Sequence, residues 1–330
     1  MAESVQTFLR DELIERQRRL QSALARREGP AQLVLLLRDV DAALERIEGA
    51  TFGSCETCHD PIEPERLIAD PLMRFCLDHL TQPEQRALER DLELAALIQR
   101  GLLPEPGIRT AGWETDYRYE PAGPVSGDYC DLIPDGQGNL FFLLGDVSGK
   151  GVAASMLMSQ LHAMFRTLTS VGLPLGEMVE RASRVFCESS LPSHYATLVC
   201  GRAGTGGEVE ICNAGHLPPL VLRNGSLARF EATGLPLGIF CNESFSVETT
   251  RLAPGDAILL YSDGFTEAQD ASGTEYGCER LEASIRRRAG LAPRALIAAC
   301  LEDLQAFAEG TPRSDDRTIM ALRRVSATVA

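Results

Sequence analysis

Four short segments in the second half of the chain each set an aspartate among small residues at a turn or strand end. They are Val125-Ser126-Gly127-Asp128-Tyr129-Cys130-Asp131, Gly145-Asp146-Val147-Ser148-Gly149-Lys150-Gly151, Ser262-Asp263-Gly264-Phe265-Thr266-Glu267 and Ser314-Asp315-Asp316-Arg317-Thr318. One Asp-Gly pair is ordinarily only a turn. Each of these, however, flanks an apolar run, so a fold that aligned the runs would gather the carboxylates at one end of its sheets. Carboxylates crowd together only when positive charge sits among them. No cluster of Lys or Arg accompanies them, so hard divalent cations with oxygen ligands, Mn2+ or Mg2+, fit the set. Such ions can lower the pKa of a bound water and offset negative charge on a substrate. Cys130 and Cys212 are flanked by strand residues and stand in no phosphate-cradling loop, so no thiol nucleophile is expected. His162, His194 and His216 remain open between a general acid for the leaving alkoxide and structural hydrogen bonding.

A second constellation lies earlier. Cys55-Glu56-Thr57-Cys58 is followed, after seventeen residues, by Cys76-Leu77-Asp78-His79. Two C-x-x-(C/H) knuckles at this separation can surround one tetrahedral zinc ion with Cys55, Cys58, Cys76 and His79. All four positions are filled by protein, which describes a closed structural site. His59 is a weaker candidate, expected outside that set. A Pro-rich segment with little apolar content would draw much of its folding energy from the metal.

These side chains need elements to hold them. Residues 3–28 read as a helix with Val5, Leu9, Leu13, Leu20 and Leu24 on one stripe, stopped by Gly29-Pro30. Leu33, Leu37, Val40, Leu44 and Ile47 then form a heptad seam, so an antiparallel helical hairpin is expected. Residues 84–103 are helical again and end at Leu103-Pro104-Glu105-Pro106-Gly107. Strands are expected at 113–119, 129–133, 139–147, 195–202, 208–213, 219–223, 257–262 and 317–324. Helices are expected at 151–170, 175–189, 279–288 and 293–309. Asp135–Asn139 and Arg223-Asn224-Gly225-Ser226 read as hairpin turns. Strands in hairpins and helices in adjacent pairs describe an α+β fold of antiparallel sheets with helices layered outside.

Both halves resemble known families. The hairpin, with Thr51-Phe52-Gly53-Ser54-Cys55, Pro61-Ile62 and Glu65-Arg66-Leu67-Ile68-Ala69, resembles the TraR/DksA-type zinc finger, which normally carries four cysteines where this chain has His79 last. Some members bind RNA polymerase through acidic residues at the hairpin tip; the tip here, Arg27-Glu28-Gly29-Pro30, has no matching acidic motif. Residues 85–325 resemble the SpoIIE/RsbU-like branch of the PPM-type serine/threonine phosphatases. The resemblance runs through the aspartate segments, Leu88–Ala95 with Ile98-Gln99 and Leu102-Leu103-Pro104, Asn213-Ala214-Gly215-His216 with Pro218-Pro219, and Gly234–Gly238. Ser126 stands where a second glycine is common. The resemblance implies an αββα sandwich in which Asp146 bridges two metals, the Val147 carbonyl adds a ligand, Asp128 serves one ion, and Asp263 and Asp315 serve the other. Asp131 and Asp316 are left either just behind the metals or as hydrogen-bonded turn carboxylates.

The expected organisation is a helical hairpin at 1–50, a zinc finger at 51–81, a linker helix at 82–106 and a phosphatase domain at 107–330. By resemblance the substrate is a phosphoserine or phosphothreonine protein, with a STAS-domain anti-anti-sigma factor the expected class. The linker helix is suited to homodimer formation. The alternative is a catalytically silent regulator that binds RNA polymerase, or acts as a scaffold, through the zinc-finger hairpin. A net charge of −15 argues against a nucleic-acid partner. No apolar run is long enough to span a bilayer and the start has no signal pattern, so a cytoplasmic location is expected, with the scattered cysteines as free thiols.

Overall fold

A computed structural model describes residues 9–10, 13–18, 20–21, 31–80, 82–110, 112–190 and 194–326. The chain forms two compact units, Met1–Asp91 and Leu92–Ala330.

In the first unit the described residues between 9 and 21 are helical. They are followed by α1 (Ala31–Glu48), α2 (Pro64–Ala69) and a 3-10 turn at Leu77–His79. Leu9, Leu13 and Leu20 share a core with Val40, Ala43, Phe52, Ile62 and Leu67, and Leu37, Leu44 and Ile47 pack against it. The apolar spacing in both segments is thus used for packing between them. The Gly29-Pro30 stop and the tip at 27–30 lie outside the described residues. Arg46, on the last turn of α1, donates to the carbonyls of Leu72 and Met73 at 3.3 and 2.9 Å. That ties the helix to the segment carrying Cys76.

Helix α3 (Gln82–Leu102) leads into the second unit, whose elements are β1 (Arg109–Thr110), β2 (Trp113–Glu120), β3 (Asp128–Pro134), β4 (Leu140–Val147), α4 (Gly151–Leu168), α5 (Leu175–Ser189), β5 (Ala196–Ala203), β6 (Glu208–Ala214), β7 (Leu220–Arg223), β8 (Ser226–Arg229), β9 (Glu248–Arg251), β10 (Ala257–Tyr261), α6 (Asp263–Thr266), α7 (Gly277–Arg287), α8 (Pro293–Phe307) and β11 (Arg317–Arg324). The strands form two sheets, ordered β1-β2-β11-β10-β7-β8 and β3-β4-β5-β6-β9. Every named pairing is antiparallel.

Alternation along each strand divides the core into three. Leu140, Phe142 and Leu144 meet Ile258, Leu260, Met320 and Leu322 between the sheets. Phe141 and Leu143 turn the other way, onto Met158, Leu161 and Phe165 of α4 and Val179 and Phe186 of α5. On the outer face of the six-stranded sheet, Leu259, Tyr261 and Ile319 pack under Leu281, Ile285, Leu296 and Cys300. A strand buried on both faces reads as an unbroken apolar run, which is why Leu140–Leu144 shows no polar alternation. The result is the expected αββα sandwich. Gly201 faces Phe142 across the β4–β5 ladder, and a Cβ there would come within 2.0 Å of the ring.

The hairpin turn after β7 is as read: Asn224 and Gly225 both have positive φ, 47° and 80°, as a two-residue type I′ turn requires. The short strands β1, β8 and β9 went unread, because largely exposed segments of two to four residues carry no alternation. One expectation is corrected. Cys187 and Cys241 are joined as a disulfide, with Cα atoms 5.3 Å apart, so not all the scattered cysteines are free thiols. Their separation of 54 residues hides the approach, which depends on the segment after Gly238 folding back onto the end of α5. Among the described residues no helix is long and apolar enough to cross a membrane.

Candidate metal centre

The same alternation that builds the core delivers the aspartates. Asp128 extends the inner-face series of Cys130 and Leu132, and Asp146 extends that of Leu140, Phe142 and Leu144. The two lie directly opposite each other in the β3–β4 register. Thr318 extends the inner-face series of Met320 and Leu322 in the other sheet, and its hydroxyl donates to Asp128 Oδ2 across the sandwich. Asp263 opens α6 just after β10, and Asp315 stands just before β11. Those two strands are hydrogen-bonded neighbours, with Tyr261 opposite Ile319. Four segments far apart in sequence therefore converge on one end of the sandwich.

The carboxylates act on one another. Asp128 is 1% exposed, and burial, then the charge of Asp146, holds it well above the usual carboxylate range. Asp146 is pushed up to about 7 by burial, then by Asp263, Asp315 and Asp316, against the opposing pull of Lys150. Asp263 is raised by burial and by Asp315. An all-oxygen donor set whose members suppress each other's ionisation is a site short of positive charge, and it fits divalent cations. Among the described residues no three carboxylates bring oxygens within 4.8 Å of one another. A cage for an ion pair about 3.5–4 Å apart is wider than a cage for one ion.

The backbone near these side chains is closely packed. A Cβ on Gly264 would fall 2.0 Å from the carbonyl oxygen of Asp316, so only glycine lets the two turns meet. The Val147 carbonyl, the expected backbone ligand, lies 3.0 Å from where a Cβ on Gly127 would stand. Ser126, in place of a glycine, is fully buried, and its hydroxyl accepts the Asp128 N–H at 3.1 Å.

Asp131 and Asp316 both have structural partners. Asp131 lies one residue out of phase with Asp128 and so faces the helix layer. There it takes two hydrogen bonds from Arg166 at 2.6 and 2.8 Å. Asp316 accepts the N–H groups of Ala122 and Gly127 at 2.7 and 3.0 Å and holds the loop before β3. His162 sits beside Asp131 and edge-on to Tyr129. His216 is different. Burial lowers it to about 4, so it is neutral; its Nε2–H donates to the Tyr261 carbonyl at 3.2 Å and its Nδ1 accepts the Thr197 hydroxyl at 2.8 Å. Thr197 pairs with Asp146 in the ladder, so His216 bridges the two sheets beside the site. It also lines a cleft of about 360 Å³ with Asp146, Asp263, Tyr195, Glu231 and Glu267. Burial holds the Cys130 thiol well above its ordinary value and pushes Cys212 up to about 12, which leaves neither a nucleophile.

Sequence reasoning passed over three side chains. Thr318 was quoted within a motif without a role. Lys150 donates to Asp315. Gln99 of α3, 4% exposed, donates to the Ser126 carbonyl at 2.7 Å and accepts the Ser126 N–H at 2.9 Å. Its place in the Ile98-Gln99 pair of the linker-helix segment that carries the resemblance was the available signal for it.

In the first unit one ligand atom from each of Cys55, Cys58, Cys76 and His79 lies within 4.8 Å of the others. Cys58 Sγ and Cys76 Sγ are 3.8 Å apart, and Cys76 Sγ is 3.2 Å from His79 Nδ1. Tetrahedral zinc with bonds of about 2.3 Å separates sulfurs by roughly 3.8 Å, so the donors fit that ion. His59 is exposed and outside this group.

Comparison with known proteins places both units. Residues 136–325, more than half of the chain, match the Stage II sporulation protein E (SpoIIE) family. The chain belongs to the SpoIIE family. Ahead of its SpoIIE domain, residues 50–78 match the prokaryotic dksA/traR C4-type zinc finger. The chain is 26% identical to protein IcfG of Synechocystis over 264 residues, covering 71% of this chain and 41% of IcfG. It is 26% identical to the phosphoserine phosphatase RsbU of Bacillus subtilis over 192 residues, 57% of either chain. The solved RsbU and RsbW domains of Rv1364c from Mycobacterium tuberculosis align with a TM-score of 0.58 and 29% identity, covering 68% of this chain and 62% of that one. The chain spans about half the length of the curated relatives it matches.

Proposed function

We propose that this SpoIIE-family chain is a metal-dependent phosphatase that hydrolyses phosphoserine or phosphothreonine on a signalling protein. The observation that carries the reading is the facing of Asp128 and Asp146 across the β3–β4 ladder, with Asp263 and Asp315 brought to the same end from the other sheet. In this reading Asp146, the Val147 carbonyl, Asp128, Asp263 and Asp315 would together hold two Mn2+ or Mg2+ ions. Divalent ions in such a site lower the pKa of water and offset charge on the transferring phosphoryl group. The chain's own part is positional. Thr318 fixes the Asp128 carboxylate, Asp316 fixes the loop before it, and neutral His216 ties Thr197, the ladder partner of Asp146, to the strand that leads into Asp263. The cleft along Tyr195 and His216 leaves room for a phosphorylated side chain.

Cys55, Cys58, Cys76 and His79 hold a structural zinc ion. The substrate group is phosphoserine on a partner protein, as the name of the relative RsbU, a phosphoserine phosphatase, supports; the family resemblance adds the STAS-domain anti-anti-sigma type as the partner class. Self-association runs through α3, where Leu94, Leu97 and Ile98 are more than half exposed. The setting is cytoplasmic. Phosphatase assays on a phosphoserine protein with and without Mn2+, on wild type and Asp146→Asn, test the reading. Activity that depends on both Mn2+ and Asp146 is expected. A silent wild type that still captures RNA polymerase would favour the scaffold alternative.

A further inference from the structure

The chain contains one lysine, Lys150; every other basic side chain apart from histidine is arginine. That single ammonium stands at the aspartate site. Its Nζ lies 2.8 Å from Asp315 Oδ2 and 2.9 Å from the Ser314 carbonyl oxygen. Its charge acts on Asp146, Asp263 and Glu267 as well. We propose that Lys150 is a displaceable counter-ion: it occupies Asp315 until a divalent cation takes that carboxylate, and then turns its ammonium to the phosphate group of the substrate. The inference rests on the metal reading above and adds to it a phosphate-binding cation.

Three observations support the exchange. First, the Lys150 side chain is 63% exposed and that of Asp315 34%. An ion pair this open to water is weak, so a doubly charged ion can replace an ammonium there. Second, Gly149 and Gly151 on either side have φ of +95° and +76°. This backbone holds the Lys150 stem toward Asp315 from the loop that follows Asp146, and a flexible four-carbon stem can swing from a fixed base. Third, charge favours it. Two divalent ions balance the four carboxylates of Asp128, Asp146, Asp263 and Asp315, so a phosphate dianion that they coordinate still brings net negative charge into the site. Lys150 offsets that charge as a compact ammonium.

Calorimetric titration of the full chain with Mn2+, then of the Mn2+-loaded chain with inorganic phosphate, tests this on wild type, Lys150→Gln and Lys150→Arg. Removing the competitor should make Mn2+ bind several-fold tighter to Lys150→Gln, a gain that misfolding would not produce. Phosphate should bind that variant at least fivefold more weakly, with Lys150→Arg recovering most of the loss. The amine of Lys150, unique apart from the chain's first residue, should react faster with an acylating reagent once Mn2+ is added and be protected again by phosphate. A wild type that binds Mn2+ while Lys150→Gln binds it no more tightly, or holds phosphate equally well, overturns this inference alone. A wild type that binds no Mn2+ overturns the metal reading and this inference with it.

Discussion

Burial and three neighbouring carboxylates raise the Asp146 carboxyl from an ordinary 3.8 to about 7. A carboxyl raised in the folded state costs nothing below its unfolded value, and its penalty grows until the pH passes its folded value. The metal-free protein should therefore lose stability between about pH 4 and 7, by an amount on the order of a few kcal/mol from Asp146 alone. Thermal unfolding in a chelator across that range should show the melting temperature falling. Added Mg2+ should restore it at pH 7.5 and change it little at pH 5. Asp146→Asn should melt higher than wild type in chelator at pH 7.5 while its phosphatase activity falls to background. Thr318→Val is the complementary case. It keeps the shape but removes the hydroxyl that donates to Asp128. Loss of a buried donor should cost about 1–3 kcal/mol in denaturant unfolding, and Mn2+ affinity should fall with it. The four aspartates were legible because each sits in a small-residue turn beside an apolar strand. Thr318 was visible but mute: its partner lies 190 residues away in sequence, and only pairing across two sheets reveals what its hydroxyl is for. The exclusion of Asp131 follows from period-two alternation along β3 and was readable in principle.

At the level of elements, the long strands and the four longer helices of the sandwich announced themselves through apolar runs and 3.6-residue spacing. Short edge strands did not, since exposed pairing leaves no mark on composition. Helix α3 shows how an element reaches the site without contributing a ligand. Gln99 satisfies both backbone groups of Ser126, two residues before Asp128. Replacing it by leucine strands a buried N–H and carbonyl. Gln99→Leu should lose roughly 2–4 kcal/mol of unfolding free energy. Its activity at saturating Mn2+ should fall while Gln99→Glu, which keeps only the acceptor, lies between. If Gln99→Leu matches wild type in both measurements, α3 has no hold on the loop.

For the molecule as a whole, the division at Asp91 predicts separable stability. On the proposed reading the finger would owe its order to four ligands around one small core. Cys58→Ser should lower zinc content from one per chain toward zero by elemental analysis and open residues 50–80 to protease. The melting transition of residues 92–330 should stay within about 2 °C of wild type. A shift of the whole transition would mean that the units fold as one. The Cys187–Cys241 pairing belongs to this scale as well. Residues 54 apart meet only once the loop before β9 has folded over α5, so no local pattern could have predicted it.

The position of β11 has a consequence for synthesis. This strand lies between β2 and β10 in its sheet, and Asp315 and Thr318 arrive with it. A ribosome that has made everything up to residue 310 has exposed three of the aspartates, but the slot between β2 and β10 is still empty and Asp128 lacks its hydroxyl donor. On the proposed reading the nascent chain would lack Asp315 and Thr318 at the site until that segment emerges and closes the sheet. In the same reading, hydrolytic capacity is thus acquired in one step, when β11 closes the sheet, and not gradually.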